Sequence, residues 1–279
     1  MPPSSSQAPA ALVVRTAGTN CDAELVRAFE LAGAKTTLMH LDRLIADPAQ
    51  MEAFDLLGFP GGFSYGDDVA SGRIFAMRLR ERLYPALRAA AQRGCPMIGV
   101  CNGFQVLVQV GLLPGPRAGE EWPADRPPRQ EVALAANASG RFVDTWVRVE
   151  ANAASPCVWT RGLADAFTGH VADEVLRLPV AHGEGRFVAD SPEVMERLEE
   201  GNQVALRYVD DPNGSANGVA GICDPSGRIF GLMPHPERYL DWVHHPFWTR
   251  LGAESRRGDT PGQMIFRNAV EAASGVGTR

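Results

Sequence analysis

Gly99-Val100-Cys101-Asn102-Gly103 sets a thiol between two glycines, where the apolar run "PMIGV" gives way to the helix pattern "GFQVLVQVGLL". G-x-C-x-G is the thiol form of the turn that lifts a nucleophile off the end of a strand. So sharp a turn leaves no room for side chains at the flanking positions, and glycine fits both. The sulfur would stand at a helix N-terminus, where unpaired N–H groups and the helix dipole favour thiolate over thiol. The N–H of Asn102 can then point at a developing oxyanion. The pentapeptide fits a second role equally well, a small core filler at a tight turn, because free cysteines are among the most buried residues.

A catalytic thiol needs a base, and the chain has six histidines. His40 lies in an apolar strand pattern, His170 in an uninformative loop, and the adjacent His244 and His245 suit an exposed loop. His182, in "VAHGEGRF", and His235, in "GLMPHPERY", remain. Pro236 pushes His235 toward an extended backbone. Residues i and i+2 of an extended segment share a side, so Glu237 is placed to accept a ring N–H and fix the tautomer. Nucleophile, base and orienter would then be Cys101, His235 and Glu237. Taken alone, the His-Pro-Glu segment also fits a proline-rich surface turn. A third element, Pro60-Gly61-Gly62, permits close backbone approach, and the Gly62 N–H is a candidate second oxyanion donor. Bare Gly-Gly is also a common turn.

Composition narrows the field. At 279 residues and 45% hydrophobic content the chain can bury one large core or two small ones. A net charge of −6 without a basic run gives no electrostatic support for nucleic-acid or anionic-membrane binding. Lys35 is the sole lysine, and no G-x-x-x-x-G-K-[ST] string exists, so no P-loop can be drawn. Five scattered cysteines without C-x-x-C suit a reducing cytosol rather than disulfides or a zinc site, and no metal is expected. "MPPSSSQAPA" lacks the basic and apolar regions of a signal peptide, and no run approaches a membrane span. The expectation is a soluble cytoplasmic protein.

The elements that must position these residues follow from periodicity. "ALVV" predicts a strand, and "NCDAELVRAFELAGA" a helix with Leu25, Val26, Phe29 and Leu31 on its apolar face. "TTLMHL", "FDLLGFPGG" and "PMIGV" predict further strands. "RIFAMRLRERLYPALRAAAQRG" predicts a long helix with Pro85 as a point of kinking or splitting. Alternating strands and helices imply a parallel sheet covered on both faces. Beyond the Pro/Gly-rich 115–130 loop, "EVALAANASGRFVDTWVRVEA" and "GVAGICDPSGRIFGLMP" predict antiparallel strands. An irregular 240–262 excursion precedes a last helix, "QMIFRNAVEAA". The expected organisation is a disordered tail over 1–10 and a single α/β domain over 11–279, mostly parallel with an antiparallel addition.

Pro60-Gly61-Gly62, Gly99 to Gln105 and Pro234 to Glu237 together resemble the class I (triad) glutamine amidotransferases, a flavodoxin-like fold. The longer strings "PGGFSYGDD", "GVCNGFQ", "GLLPG", "PVAHGEGRF", "RYVDDPNGSANGVAGI" and "GLMPHPER" are similar to the glutamine amidotransferase subunits of phosphoribosylformylglycinamidine synthases. The resemblance runs in order from about Arg15 to Arg238 and covers most of the chain. It implies that Cys101 attacks the carboxamide of glutamine, His235 shuttles protons, Glu237 orients it, and the Gly62 and Asn102 amides hold the oxyanion. It also implies that Gly61, Phe63 and Gln105 line the glutamine pocket and that His182 and Glu184 lie near the active-site mouth. Ammonia would pass to a large synthetase subunit, with a small bridging subunit left open. That partner would hold ATP and magnesium and convert formylglycinamide ribonucleotide to its amidine in purine biosynthesis; no cofactor is expected in this chain. Two other readings stand beside it: a glutaminase subunit feeding another synthetase, and a non-catalytic redox-sensing regulator on the same fold. The 115–130 and 240–262 segments look longer than the family's compact form, as partner contacts or as surface insertions.

Overall fold

Strand and helix alternate through the first 110 residues, as the apolar runs require. The computed structural model, which describes residues 8–168 and 174–275, gives β1 (Ala10–Arg15), α1 (Asp22–Leu31), β2 (Lys35–His40), α2 (Leu41–Ala46) and β3 (Leu56–Phe59). They are followed by α3 (Arg73–Arg82), α4 (Tyr84–Gln92), β4 (Met97–Val100) and α5 (Asn102–Val110). Pro85 splits the long helix pattern: α3 stops at Arg82, and Pro85 takes an opening position of α4, where no N–H is needed.

The second half contributes β5 (Val132–Ala135), β6 (Val143–Ala151), α6 (Leu163–Ala166), β7 (Arg177–His182), β8 (Arg186–Ala189) and α7 (Pro192–Glu200). β9 (Val204–Tyr208), β10 (Val219–Cys223), β11 (Ile229–Leu232) and α8 (Pro261–Ala273) complete it. One sheet runs through both halves in the order β2-β1-β3-β4-β11-β10-β9-β6-β7. Pairings from β2 across to β11 are parallel; those from β11 to β7 are antiparallel. The antiparallel addition is therefore broader than the sequence suggested, because β7 and β9 were not recognised. β5 and β8 form a separate antiparallel pair.

Helices cover both faces, which is why β3 and β4 are buried at every residue. On one face α1 and α8 meet through Phe29 and Phe266, edge to face at 5.4 Å, with Trp159 beside both. On the other face α5 is buried along almost its whole length, apolar except for Asn102, Gln105 and Gln109, whose side chains are hydrogen-bonded. Leu25 and Phe29 face the core as expected, but Leu31 is exposed and Ala28 fills the stripe.

Two boundaries differ from the sequence reading. Ala10 already belongs to β1 and its N–H donates to Asp55, so the tail is shorter than 1–10; residues 1–7 lie outside the described residues. Helix α8 starts two residues before "QMIFRNAVEAA", at Pro261, with Thr260 and Gln263 forming a reciprocal capping box. No helix among the described residues is long and apolar enough to cross a membrane.

Candidate active site

Parallel pairing brings the site together. β1, β3, β4 and β11 run the same way, so the segments leaving their C-terminal ends crowd one edge of the sheet. Those segments are Thr16–Cys21, Pro60–Gly62, Cys101 and Met233–His235. Leu232 is in register with Val100, and the Cys101 N–H donates to Leu232 O at 2.8 Å. Cys101 itself has φ +52° and ψ −106°, a strained conformation for a residue with a side chain. The flanking glycines are required by contact. A methyl on Gly99 would lie 2.5 Å from Gly103 O, and one on Gly103 would lie 1.9 Å from Phe59 O.

Gly61 marks where the pieces converge. A methyl there would stand 2.8 Å from His235 Cε1, 3.2 Å from Cys21 Sγ and 3.4 Å from Cys101 Cβ. His235 is anchored by its N–H to Pro179 O at 2.8 Å, and its Nδ1 pairs with Glu237 Oε1 at 2.7 Å. Both residues are 2% exposed. Burial alone would push the imidazole down, but the Glu237 carboxylate and the Cys101 and Cys21 thiols outweigh it, leaving its pKa well above the ordinary 6.5. His235 Nε2 has no hydrogen-bond partner, and the Cys101 thiol points at Ala181 O, 3.7 Å away. Thiol and imidazole are thus neighbours without a direct hydrogen bond, the relaxed geometry common before substrate binds.

Both oxyanion candidates are backbone N–H groups at this edge of the sheet. Gly62 has φ +136°, and the bridge from this loop to Thr19 uses Phe63 N and Gly61 O, not the Gly62 N–H. Asn102 is the first residue of α5, where an N–H has no acceptor within the helix. The Asn102 side chain is buried and ties the site together: its Oδ1 accepts from Ser64 N, and its Nδ2 donates to Gln105 Oε1 and Asp67 Oδ1. Gln105 in turn donates to Glu184 O at 2.6 Å, and Glu184 Oε2 accepts from Ser71 N. Phe63 is half-exposed beside this network.

His182 does not open onto solvent. It is 3% exposed, bonded through Nδ1 to Asn137 Oδ1, and burial together with the nearby His235 lowers its pKa to about 4. Glu184 remains partly exposed at the rim. His245 corrects the expectation of an exposed pair. It is 2% exposed, donates from Nε2 to Glu174 O, and packs against Trp146, Tyr239 and Phe247, whereas His244 is exposed. His170 lies outside the described residues.

Three residues near the thiol went unassigned in the sequence. Cys21 is the residue before α1, and its sulfur accepts from Arg238 at 3.0 Å. Burial raises its pKa, while His235 and Arg238 draw it down. The available signal was its place after β1, on the same edge as the other loops. Asp67 and Ser71 lie in and after "FSYGDD"; burial raises the Asp67 carboxyl, against hydrogen bonds from Gly72, Ser71 and Asn102.

Residues 8–271 match a CobB/CobQ-like glutamine amidotransferase domain. The phosphoribosylformylglycinamidine synthase subunit PurQ of Dehalococcoides mccartyi is 40% identical over 272 residues, spanning 95% of this chain and 98% of that protein. The chain belongs to the PurQ family. The PurQ of Rubrobacter xylanophilus is 42% identical over 230 residues, covering 82% of this chain and 89% of its own. Among solved structures, a chain of PurLQS from Thermotoga maritima superposes with a TM-score of 0.68 at 31% identity, over 95% of this chain and 99% of that one. PurQ relatives thus match the chain nearly end to end, including the 115–130 and 240–262 segments within the matched domain.

Proposed function

We propose that this PurQ-family chain is the glutaminase subunit of a phosphoribosylformylglycinamidine synthase, acting in the cytoplasm. What carries the proposal is the convergence of Cys101, the buried His235–Glu237 pair and the Gly62 loop around Gly61. Cys101 Sγ, its proton taken by His235, attacks the side-chain carboxamide carbon of glutamine, and the Gly62 and Asn102 amides bind the oxyanion. The C–N bond breaks as His235 gives a proton to the leaving nitrogen, releasing ammonia and leaving a thioester. His235 then takes a proton from water, whose attack frees glutamate and returns the thiol. A raised imidazole pKa favours the proton-carrying form that the first step needs. Glu237 fixes the ring through Nδ1, so Nε2 is the nitrogen left to face the reaction. Gly61, Phe63 and Gln105 line the glutamine side of the cleft, with Glu184 at its rim.

The ammonia acceptor is a large synthetase subunit that binds ATP and magnesium and turns formylglycinamide ribonucleotide into its amidine; a small bridging subunit completes the complex. The decisive experiment co-purifies the chain with the host's purine ligase and assays glutamine-dependent amidine formation. Activity with the unmodified chain and none with Cys101→Ala is the expected result, together with a weak glutaminase rate when the partner is left out. No glutamine hydrolysis in either setting would favour a regulator on this fold.

A further inference from the structure

Cys21 takes no part in that chemistry, yet its thiol lies against the base couple. Cys21 Sγ, a ring nitrogen of His235 and a carboxylate oxygen of Glu237 all lie within 4.8 Å of one another. Each residue is 2% exposed. Two further observations concern the same residues. His235 Nε2 and Glu237 Oε2 are buried without hydrogen-bond partners. The bare Gly61 Cα packs close against both groups: a methyl there would stand 3.2 Å from Cys21 Sγ and 2.8 Å from His235 Cε1, so sulfur and ring meet over glycine alone. One thiolate, one imidazole and one carboxylate form a donor set suited to zinc, and three protein ligands leave a fourth position for water.

We propose that Cys21, His235 and Glu237 form a binding site for a thiophilic divalent cation, and that filling it switches the triad off. A ring nitrogen and a carboxylate committed to a metal can no longer pass protons between Cys101, glutamine and water. Binding deprotonates the Cys21 thiol, and the proton leaves to solvent. Arg238, which donates to Cys21 Sγ, is also held by Glu24, so it has an anionic partner to swing toward when a cation takes the sulfur. Magnesium, a hard ion that prefers oxygen ligands, is not accepted. This site shares His235 and Glu237 with the proposed glutaminase centre, but occupation can be read without any turnover.

The test uses Zn²⁺ as the probe on the full chain. Competition against a chromophoric chelator should show one zinc per chain, and zinc should inhibit glutamine hydrolysis by the chain with its synthetase, reversibly with EDTA. Magnesium should do neither. Cys21→Ser should weaken zinc binding, and zinc inhibition measured against its own metal-free rate, at least tenfold, and Cys101→Ala should bind zinc within threefold of the unmodified chain. Zinc bound equally well by Cys21→Ser, or no stoichiometric zinc on the unmodified chain, overturns the proposal. Should Cys21→Ser fail to fold, zinc X-ray absorption on the unmodified chain still decides. A single sulfur near ~2.3 Å among nitrogen and oxygen ligands supports the site, and two sulfurs or none refute it. An unmodified chain that binds no zinc but produces ammonia defeats this inference alone; zinc bound by a chain that never hydrolyses glutamine defeats only the glutaminase proposal.

Discussion

Gly103→Ala separates two effects that point in opposite directions. By helix propensity alone, alanine at this position of α5 should stabilise the protein by about 0.5–1 kcal/mol. Packing says otherwise. The added methyl would lie 1.9 Å from Phe59 O, 2.6 Å from Phe59 C and 3.1 Å from Phe59 Cβ, so it meets backbone and cannot be relieved by a rotamer change. Reaching ordinary contact at 3.4 Å requires the start of α5 to withdraw from β3 by about 1.5 Å. Overpacking of this kind costs about 1–3 kcal/mol, which outweighs the propensity gain. The same withdrawal carries the Asn102 N–H and Gln105 with it, and a displacement of about 1 Å at a reacting centre costs on the order of 100-fold in rate, or about 2.7 kcal/mol. Glutaminase kcat/KM in the presence of the synthetase should therefore fall at least ~100-fold while the protein still folds, with a lowered midpoint in urea. Gly183→Ala is the control, since its methyl meets nothing nearer than Phe142 Cδ2 at 3.7 Å. A Gly103→Ala chain that hydrolyses glutamine within threefold of the unmodified chain, with unchanged stability, would refute the claim that α5 is seated by contact with β3.

Other expectations concern the base, two buried groups and a helix end. Glu237→Gln should reduce glutamine hydrolysis less than Cys101→Ala does, because it disturbs the His235 tautomer without removing the nucleophile; equal losses would reassign the roles. His182, held at about 4 against 6.5 when unfolded, is neutral in the fold while the unfolded chain takes up a proton. Stability should therefore drop as pH falls from about 6.5 toward 4, by up to about 3 kcal/mol, and His182→Gln should flatten that slope in urea titrations. The raised His235 acts the other way: its contribution is complete below 6.5 and fades as pH climbs through its higher folded value, so the two together place the optimum between these windows. Thr260→Ala removes the cap of α8 and a bond to Tyr239 O, and should cost about 1–2 kcal/mol by thermal or chemical denaturation.

Some of this design was written plainly in local sequence. The elbow at Gly99–Gly103 is a short-range pattern whose geometry follows from glycine contacts; the His235–Glu237 pair is also local, but a 3₁₀ turn over Pro236–Arg238 makes it, not the extended alternation that Pro236 suggests. The last helix was legible only from Gln263 on, and its Thr260–Gln263 capping box came with the structure. What stayed hidden depends on partners far away in the chain. Cys21 reads as an ordinary residue at a helix start until β1 and β11 are known to share a direction. His245 belongs to an adjacent pair that alternation cannot sort, and only the Trp146–Tyr239 packing decides which ring goes inside. β7 alternates buried with half-buried residues and β9 is only five residues long, so their pairing with the distant β6 was not legible.

β11 occupies the middle of the sheet although it is the last strand to be made, and it alone stitches the parallel portion to the antiparallel one. A ribosome therefore releases the sulfur nucleophile long before the imidazole that activates it. Until that final strand slots in beside β4, the growing chain carries an elbow with no proton acceptor. Products ending before residue 229 lack His235 and Glu237 altogether and should release no ammonia from glutamine.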